Sequence, residues 1–342
     1  MAEGTITRDE LNRATLARQL LLERAELPVA EAVERLGALQ AQEAKPPFVA
    51  LWTRLEGFER GHLAAALHDG SVVRGTLMRA TIHLASHPDY AAIRPVLHDT
   101  LVESGVKVLK DRSAGLDPES TLARARELLD ERPRTFGELR GLLAEAFPDA
   151  DERALGFTAR MGLPLTMVPT DDPWAFPSDA AFSLAETSKP DLALLVRRYL
   201  AAFGPATTAD AQTYTGIKAV KGAIEAMDDL VIFKDGRRTL YDLPDAPRPP
   251  ADTPAPPRLL PDFDSLRLAH KDRTRLLDDE HKPRLQTKNL RVLATFLVDG
   301  RIAGTWKVER DRVVLDPFAK LPRAAAKALA DEGERLIGFL RP

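Results

Sequence analysis

Two glutamines one residue apart, Gln40 and Gln42, precede a double proline in GALQAQEAKPPFVALWTRL, residues 37–55. Each amide side chain offers an acceptor oxygen and two N–H donors and carries no charge. Two amides can position a water molecule, but they are too weak as acids or bases to activate it strongly. Chemistry by amides alone therefore requires a leaving group that is already activated. The competing reading is the polar tail of a helix, and geometry separates the two. Residues i and i+2 lie about 200° apart around a helix, so the amides would diverge; on extended chain they share a side. Pro46 disfavours helical backbone at Lys45, and Pro47 does the same at Pro46. A preceding helix is thus expected to end before Lys45 and to free the pair.

Cationic residues form the next set. RGTLMRATIH places Arg74, Arg79, Thr81 and His83 on a predicted ribbon, where Arg79, Thr81 and His83 share side-chain parity. That face suits phosphates, or is simply a half-exposed sheet surface. Lys218 and Lys221 lie three apart on a predicted helix after FGPATT, as a DNA-reading helix or a solvated face would place them. Lys271, Arg273 and Arg275 in AHKDRTRLL fit a backbone contact on a loop or ordinary solvated charge, and Lys45 adjoins the glutamine pair. His83 and His87 are four apart, but Pro88 disfavours the helix that would let them share a metal. With no cysteine there is neither a disulfide nor a thiolate ligand. No paired-histidine metal site is expected.

The elements that must hold these residues form a recurring pattern. TRDELNRATLARQLLLER, capped at Thr7 with Glu10 three residues on, and VAEAVERLGAL read as helices; VVRGTLMRATIHLAS reads as strand, turn and strand. Helix pairs followed by β-rich runs recur in TLARARELLDERPRTFGELRGLLAEAF with WAFPSDAAFSLAE, and again from LALLVRRYL to the Asp235-Gly236 hairpin signal. Residues 243–261 are proline-rich and read as a stiff strap. Beyond them lie alternating strands and a last helix starting near Pro322. The expected fold is α+β, mainly α: three tandem winged-helix motifs and a small C-terminal antiparallel sheet or β-barrel. The expected units are residues 1–115 with the glutamine motif, 116–188, 189–245, a linker at 246–258, and 259–342. The net charge of -3 over 342 residues argues against nucleic acid only as a sum, because acidic residues crowd the outer helices while Arg and Lys concentrate in the ribbon and loop segments. No stretch is apolar enough to span a membrane and the amino terminus has no secretory pattern, so a cytoplasmic protein is expected.

LQAQEAKPPFVALWTRL, VVRGTLMRATIHLAS, FGPATTADAQTYTG, RLLPDFDSLRLAHKDRTRLL and DGRIAGTW occur in that order and resemble the signature segments of the AlkZ/YcaQ-type winged-helix DNA glycosylases, nearer the branch with glutamine at both motif positions. The resemblance spans nearly the whole chain. It implies three tandem winged helices and a small C-terminal β-barrel in a C-shaped protein around duplex DNA, hydrolysis of the N-glycosidic bond of N7-alkylated purines, including bulky adducts and interstrand cross-links, and Gln40 and Gln42 as the catalytic pair. It implies no cofactor, a monomer, and a cytoplasmic, nucleoid-associated role in repair or genotoxin self-resistance. Two departures stand out: Tyr214 where a tryptophan is usual, and Ala80 where glycine is expected. The alternatives are a non-enzymatic winged-helix regulator or lesion-sequestering protein, which would bind duplex DNA without releasing a base, and a protein-interaction scaffold.

Overall fold

The computed structural model describes residues 2–285, 287 and 291–341. Strand β1 (Ala2–Thr5) leads into helix α1 (Arg8–Arg18). The expected cap is present: the Glu10 N–H donates to the Thr7 hydroxyl at 3.2 Å, and the Thr7 N–H donates to the Glu10 carboxylate at 2.7 Å. Two donors orphaned at the helix start are thereby satisfied. The helix stops short of Arg24, where sequence extends it, because Leu20 takes φ 55°. Helix α2 (Val29–Arg35) ends at a turn with positive φ at Gly37 and Ala38, followed by β2 (Leu39–Gln40). The double proline opens α3 (Pro46–Arg54), with proline where the missing N–H would be unpaired anyway. Then come α4 (Arg60–His68), β3 (Val72–Thr76), β4 (Ile82–Ser86), α5 (His87–Val96) and α6 (His98–Leu109).

The second group contains α7 (Pro118–Glu131), β5 (Arg134–Thr135), α8 (Phe136–Ala146), α9 (Glu152–Gly162), β6 (Leu165–Met167) and β7 (Ala181–Leu184). The stretch 174–186, expected as a hairpin, supplies only β7, which pairs with β6 and β5. The first two groups share one six-stranded sheet of order β2-β4-β3-β6-β7-β5. Its seam is the pairing of Gly75 with Thr166. A Cβ at Gly75 would stand 2.6 Å from Tyr90 Cε2 and 2.7 Å from the Leu165 carbonyl oxygen, so the close approach requires glycine.

The third group comprises α10 (Leu192–Phe203), α11 (Thr208–Thr215), α12 (Val220–Glu225), β8 (Val231–Asp235) and β9 (Arg238–Asp242). Strand β1 runs parallel to β8, so the first residues complete this group's sheet. The last group holds β10 (Arg258–Leu260), β11 (Thr295–Val298), β12 (Arg301–Glu309), β13 (Arg312–Pro317) and α13 (Arg323–Leu340). Among the described residues these four strands form an open antiparallel sheet of order β10-β11-β12-β13, not the expected barrel. Four strands are too few to close around packed side chains; instead Leu329 and Leu336 of α13 cluster with Leu259 and Phe296 of the sheet.

Helix α1 ties these parts together. Arg18 meets Asp242 through two bonds of 2.6 and 2.8 Å, both side chains buried, and also donates to the Leu200 and Pro247 carbonyls. Asn12 donates to the carbonyls of Arg275 and Gly300 at 2.8 Å each, and Arg13 donates to the Thr253 carbonyl at 2.7 Å. The proline-rich strap is therefore pinned to α1 at Pro247 and Thr253.

Candidate active site

The turn at Gly37 and Ala38 places Gln40 on β2, hydrogen-bonded beside β4 with His83 as its cross-strand partner. The pair does leave the helix, several residues before the limit set by the prolines. Gln40 is 8% exposed. Its Oε1 accepts from Arg79 Nη2 at 3.1 Å, while Arg79 Nη1 donates to the Tyr214 carbonyl at 2.7 Å and the guanidinium lies over the Tyr214 ring, 4.9 Å from its centroid. A guanidinium has donors only, so it fixes which end of the Gln40 amide faces it. Gln40 Nε2 has no hydrogen bond among the described residues. The Tyr214 hydroxyl donates to the Gly37 carbonyl at 2.8 Å, so one residue of α11 holds both Arg79 and the turn that launches Gln40. The tyrosine that replaces the usual tryptophan thus keeps a donor at its rim.

Gln42 is exposed, and its Oε1 accepts a long 3.4 Å bond from the Ile82 N–H. Both amide oxygens therefore converge on the segment 79–82. That segment is a tight turn in which Arg79 and Ala80 have φ of 55° and 56°, the left-handed region. The glycine expected at Ala80 is the residue that would adopt this backbone without a Cβ penalty. Gln42 also lines a cleft of about 580 Å³ with Lys45, Arg74, Arg160, Trp174 and Phe176. Arg74 is buried and donates through Nε and Nη2 to the Ala41 carbonyl at 3.1 and 2.9 Å, bracing the backbone between the glutamines. Burial, aided by Arg160, lowers its pKa to about 10. Lys45 is exposed at the start of α3, with Nζ 5.6 Å from the Trp174 ring centroid. Desolvation draws its pKa down and Asp262 opposes that shift. It also borders a second cleft, about 800 Å³, against the C-terminal sheet.

A family model described as DNA glycosylase AlkZ-like matches residues 33–339. The chain belongs to the AlkZ-like DNA glycosylase family. Among solved structures, Streptomyces sahachiroi DNA glycosylase AlkZ is similar over 98% of this chain and 96% of that one, with a TM-score of 0.79 and 20% sequence identity. That degree of identity speaks for a common fold. No curated protein matches the chain.

In this AlkZ-like chain the cationic set separates by burial. His83 is fully buried, with Nδ1 3.0 Å from the Thr81 carbonyl, and burial, with Arg79 nearby, pushes its pKa to about 3. It is a neutral core residue that a phosphate cannot reach. Arg275 is likewise out of a phosphate's reach: it is 3% exposed and donates to the Pro205 carbonyl and the Thr15 hydroxyl. Arg79 lies in the left-handed turn and not on a strand, so the shared face expected for Arg79, Thr81 and His83 does not form; its guanidinium is committed to Gln40 and Tyr214. Thr81 is half-buried beside it, with its hydroxyl donating to the Met78 carbonyl at 3.1 Å. Lys218 is exposed on the turn before α12, not on the helix, whereas Lys221 is on α12, exposed and 3.9 Å from Glu225. Lys271 is exposed and Arg273 half-buried. His83 and His87 do not assemble a metal site, and no group of three or more metal-ligating side chains occurs among the described residues. Sequence reasoning passed over Arg160, which comes from α9 more than a hundred residues after the glutamines, and Trp174, which carries no motif signal. No described helix is long and apolar enough to cross a membrane.

Proposed function

We propose that this protein is a monofunctional glycosylase that hydrolyses the N-glycosidic bond of N7-alkylated purines in duplex DNA, bulky adducts and cross-links included, in repair or genotoxin self-resistance. The observation that carries the reading is the pair of neutral amides held on one turn by Arg79 and the Ile82 N–H, in a chain of a DNA glycosylase family. Alkylation at N7 makes the purine cationic, so it departs as a neutral base without an acid to protonate it. What the enzyme must supply is a placed water and a dipole for the developing sugar cation. Gln42 suits the role of the dipole, since the residue is exposed and its oxygen holds only a long bond. Gln40 suits the placing of the water, because its oxygen is committed to Arg79 and its N–H groups are left to fix a solvent molecule. A carboxylate is unnecessary with such a leaving group, and neutral amides spare undamaged nucleotides.

The helix and ribbon groups act in this reading as three winged helices around the duplex. Lys45, Thr81, Lys218, Lys221, Lys271 and Arg273 are the contacts, on a monomer that works at the nucleoid in the cytoplasm. Single-turnover release of N7-methylguanine from duplex DNA tests the assignment. Gln40→Ala and Gln42→Ala are each expected to slow release by about 100-fold, the scale of losing one preorganised dipole, with little change in affinity. Undiminished release by both variants rejects the assignment; duplex binding without release of any alkylated base by the wild type points to the lesion-sequestering alternative.

A further inference from the structure

The cleft beside Gln42 has two kinds of wall. Trp174, Phe176 and Phe182 give aromatic surface, and Arg74, Arg160 and Lys45 give positive charge. Arg74 is committed to the Ala41 carbonyl and stacks on Phe176 at 4.7 Å. Arg160 is not committed. Its one hydrogen bond is a 3.5 Å contact from Nε to the Thr76 hydroxyl, and it has no carboxylate partner among the described residues. The acidic side chains at the rim leave it unanswered: Glu43 pairs with Arg291 at 2.7 Å, and Asp179 is exposed and in no ion pair among the described residues. A largely buried guanidinium without an anion carries an uncompensated desolvation cost. A ligand that brings an anion into the cleft removes it.

Resting on the glycosylase reading above, we infer that this cleft receives the group appended to the damaged base, that the group is a flat aryl carrying a carboxylate or similar anionic oxygen, and that Arg160 selects for it. The position supports this assignment, since Gln42 lines the same cleft and a substituent tethered to a base held at Gln42 enters without a spacer. The walls support it as well. A backbone phosphate would use the charge but gain nothing from the aromatic rings, whereas an aryl group stacks on them and presents its anion to the guanidinium fork. A volume of about 580 Å³ is in the range of small-molecule sites.

The test compares single-turnover release of N7-methylguanine, N7-benzylguanine and N7-(4-carboxybenzyl)guanine from one duplex by wild type, Arg160→Met and Arg160→Lys. Arg160→Met is expected to lower the ratio of carboxybenzyl to methyl release by about tenfold, the worth of one charge-assisted hydrogen bond, with Arg160→Lys intermediate. An unchanged ratio overturns the inference, including the case of equal losses on all three substrates that a phosphate contact would give. Calorimetric titration of the free protein with 4-methylbenzoate reads the cleft without catalysis. Saturable binding weakened about tenfold in Arg160→Met supports the inference, and binding that is absent or indifferent to Arg160 overturns it. Failure of the wild type to release N7-methylguanine counts against the glycosylase reading and leaves the titration to decide the cleft.

Discussion

Arg79→Lys separates two roles for a cation beside the glutamines. Lysine keeps the charge but lacks the planar fork that reaches the Tyr214 carbonyl at 2.7 Å and Gln40 Oε1 at 3.1 Å together. The bond to Gln40 is charge-assisted and worth about 1.5–3 kcal/mol. If it serves to hold the amide for the transition state, its loss slows excision by roughly 10- to 150-fold. The expected result is a slower single-turnover rate with duplex affinity within a factor of about two of wild type and the salt dependence of binding unchanged. Stability falls as well, because stacking on Tyr214 is weakened, so rates are to be compared below the onset of unfolding. The opposite pattern refutes this reasoning: undiminished excision with weaker duplex binding makes Arg79 a phosphate contact whose bidentate geometry lysine does not reproduce.

Two further outcomes concern stability. Ala80→Gly relieves a left-handed alanine, φ 56°, which costs about 1–2 kcal/mol, against about 0.5–1 kcal/mol for the extra freedom glycine brings to the unfolded chain; a net gain of about 0.5–1 kcal/mol is expected as a higher urea midpoint at constant slope, and a lower midpoint contradicts it. His83 and His270 are buried with pKa values pushed to about 3. The unfolded chain binds protons at these residues below its ordinary value near 6.5 and the folded protein does not, so stability is full above that pH and falls as pH drops from about 6.5 toward 3. Each histidine is expected to cost about 2 kcal/mol between pH 7 and 5, and equal urea midpoints at pH 7 and 5 contradict the burial argument.

Local signals were legible where local chemistry decides structure. The capping box at Thr7, the hairpin at Asp235-Gly236 and the start of α13 after Pro322 all stand where side-chain spacing puts them. The release of Gln40 from the helix was legible too, although the determinant nearest to it is the Gly37 turn and not the prolines. Strand partners across groups were not legible, since the pairings of β3 with β6 and of β1 with β8 depend on close approach of segments distant in sequence. The ribbon's shared face failed for a backbone reason: positive φ at Arg79 and Ala80 interrupts strand alternation. Burial of His83 and Arg275 has no signature in residue type, because a histidine or arginine held in the core against main-chain carbonyls has the same letter as one in solvent. For the same reason the uncommitted Arg160 was invisible until its neighbours were known.

Helix α1 has a consequence for how the chain is made. It is synthesised well before the groups it binds, for its buried polar side chains find their partners at Asp242, Arg275 and Gly300, more than two hundred residues on. Arg18 has no counter-ion until Asp242 is made, Asn12 lacks its acceptors until Arg275 and Gly300 follow, and α1 must wait either solvated or in a chaperone's keeping. Nascent chains stalled before residue 242 are therefore expected to leave α1 open to proteolysis even where the α7–α9 group has already closed on its own core.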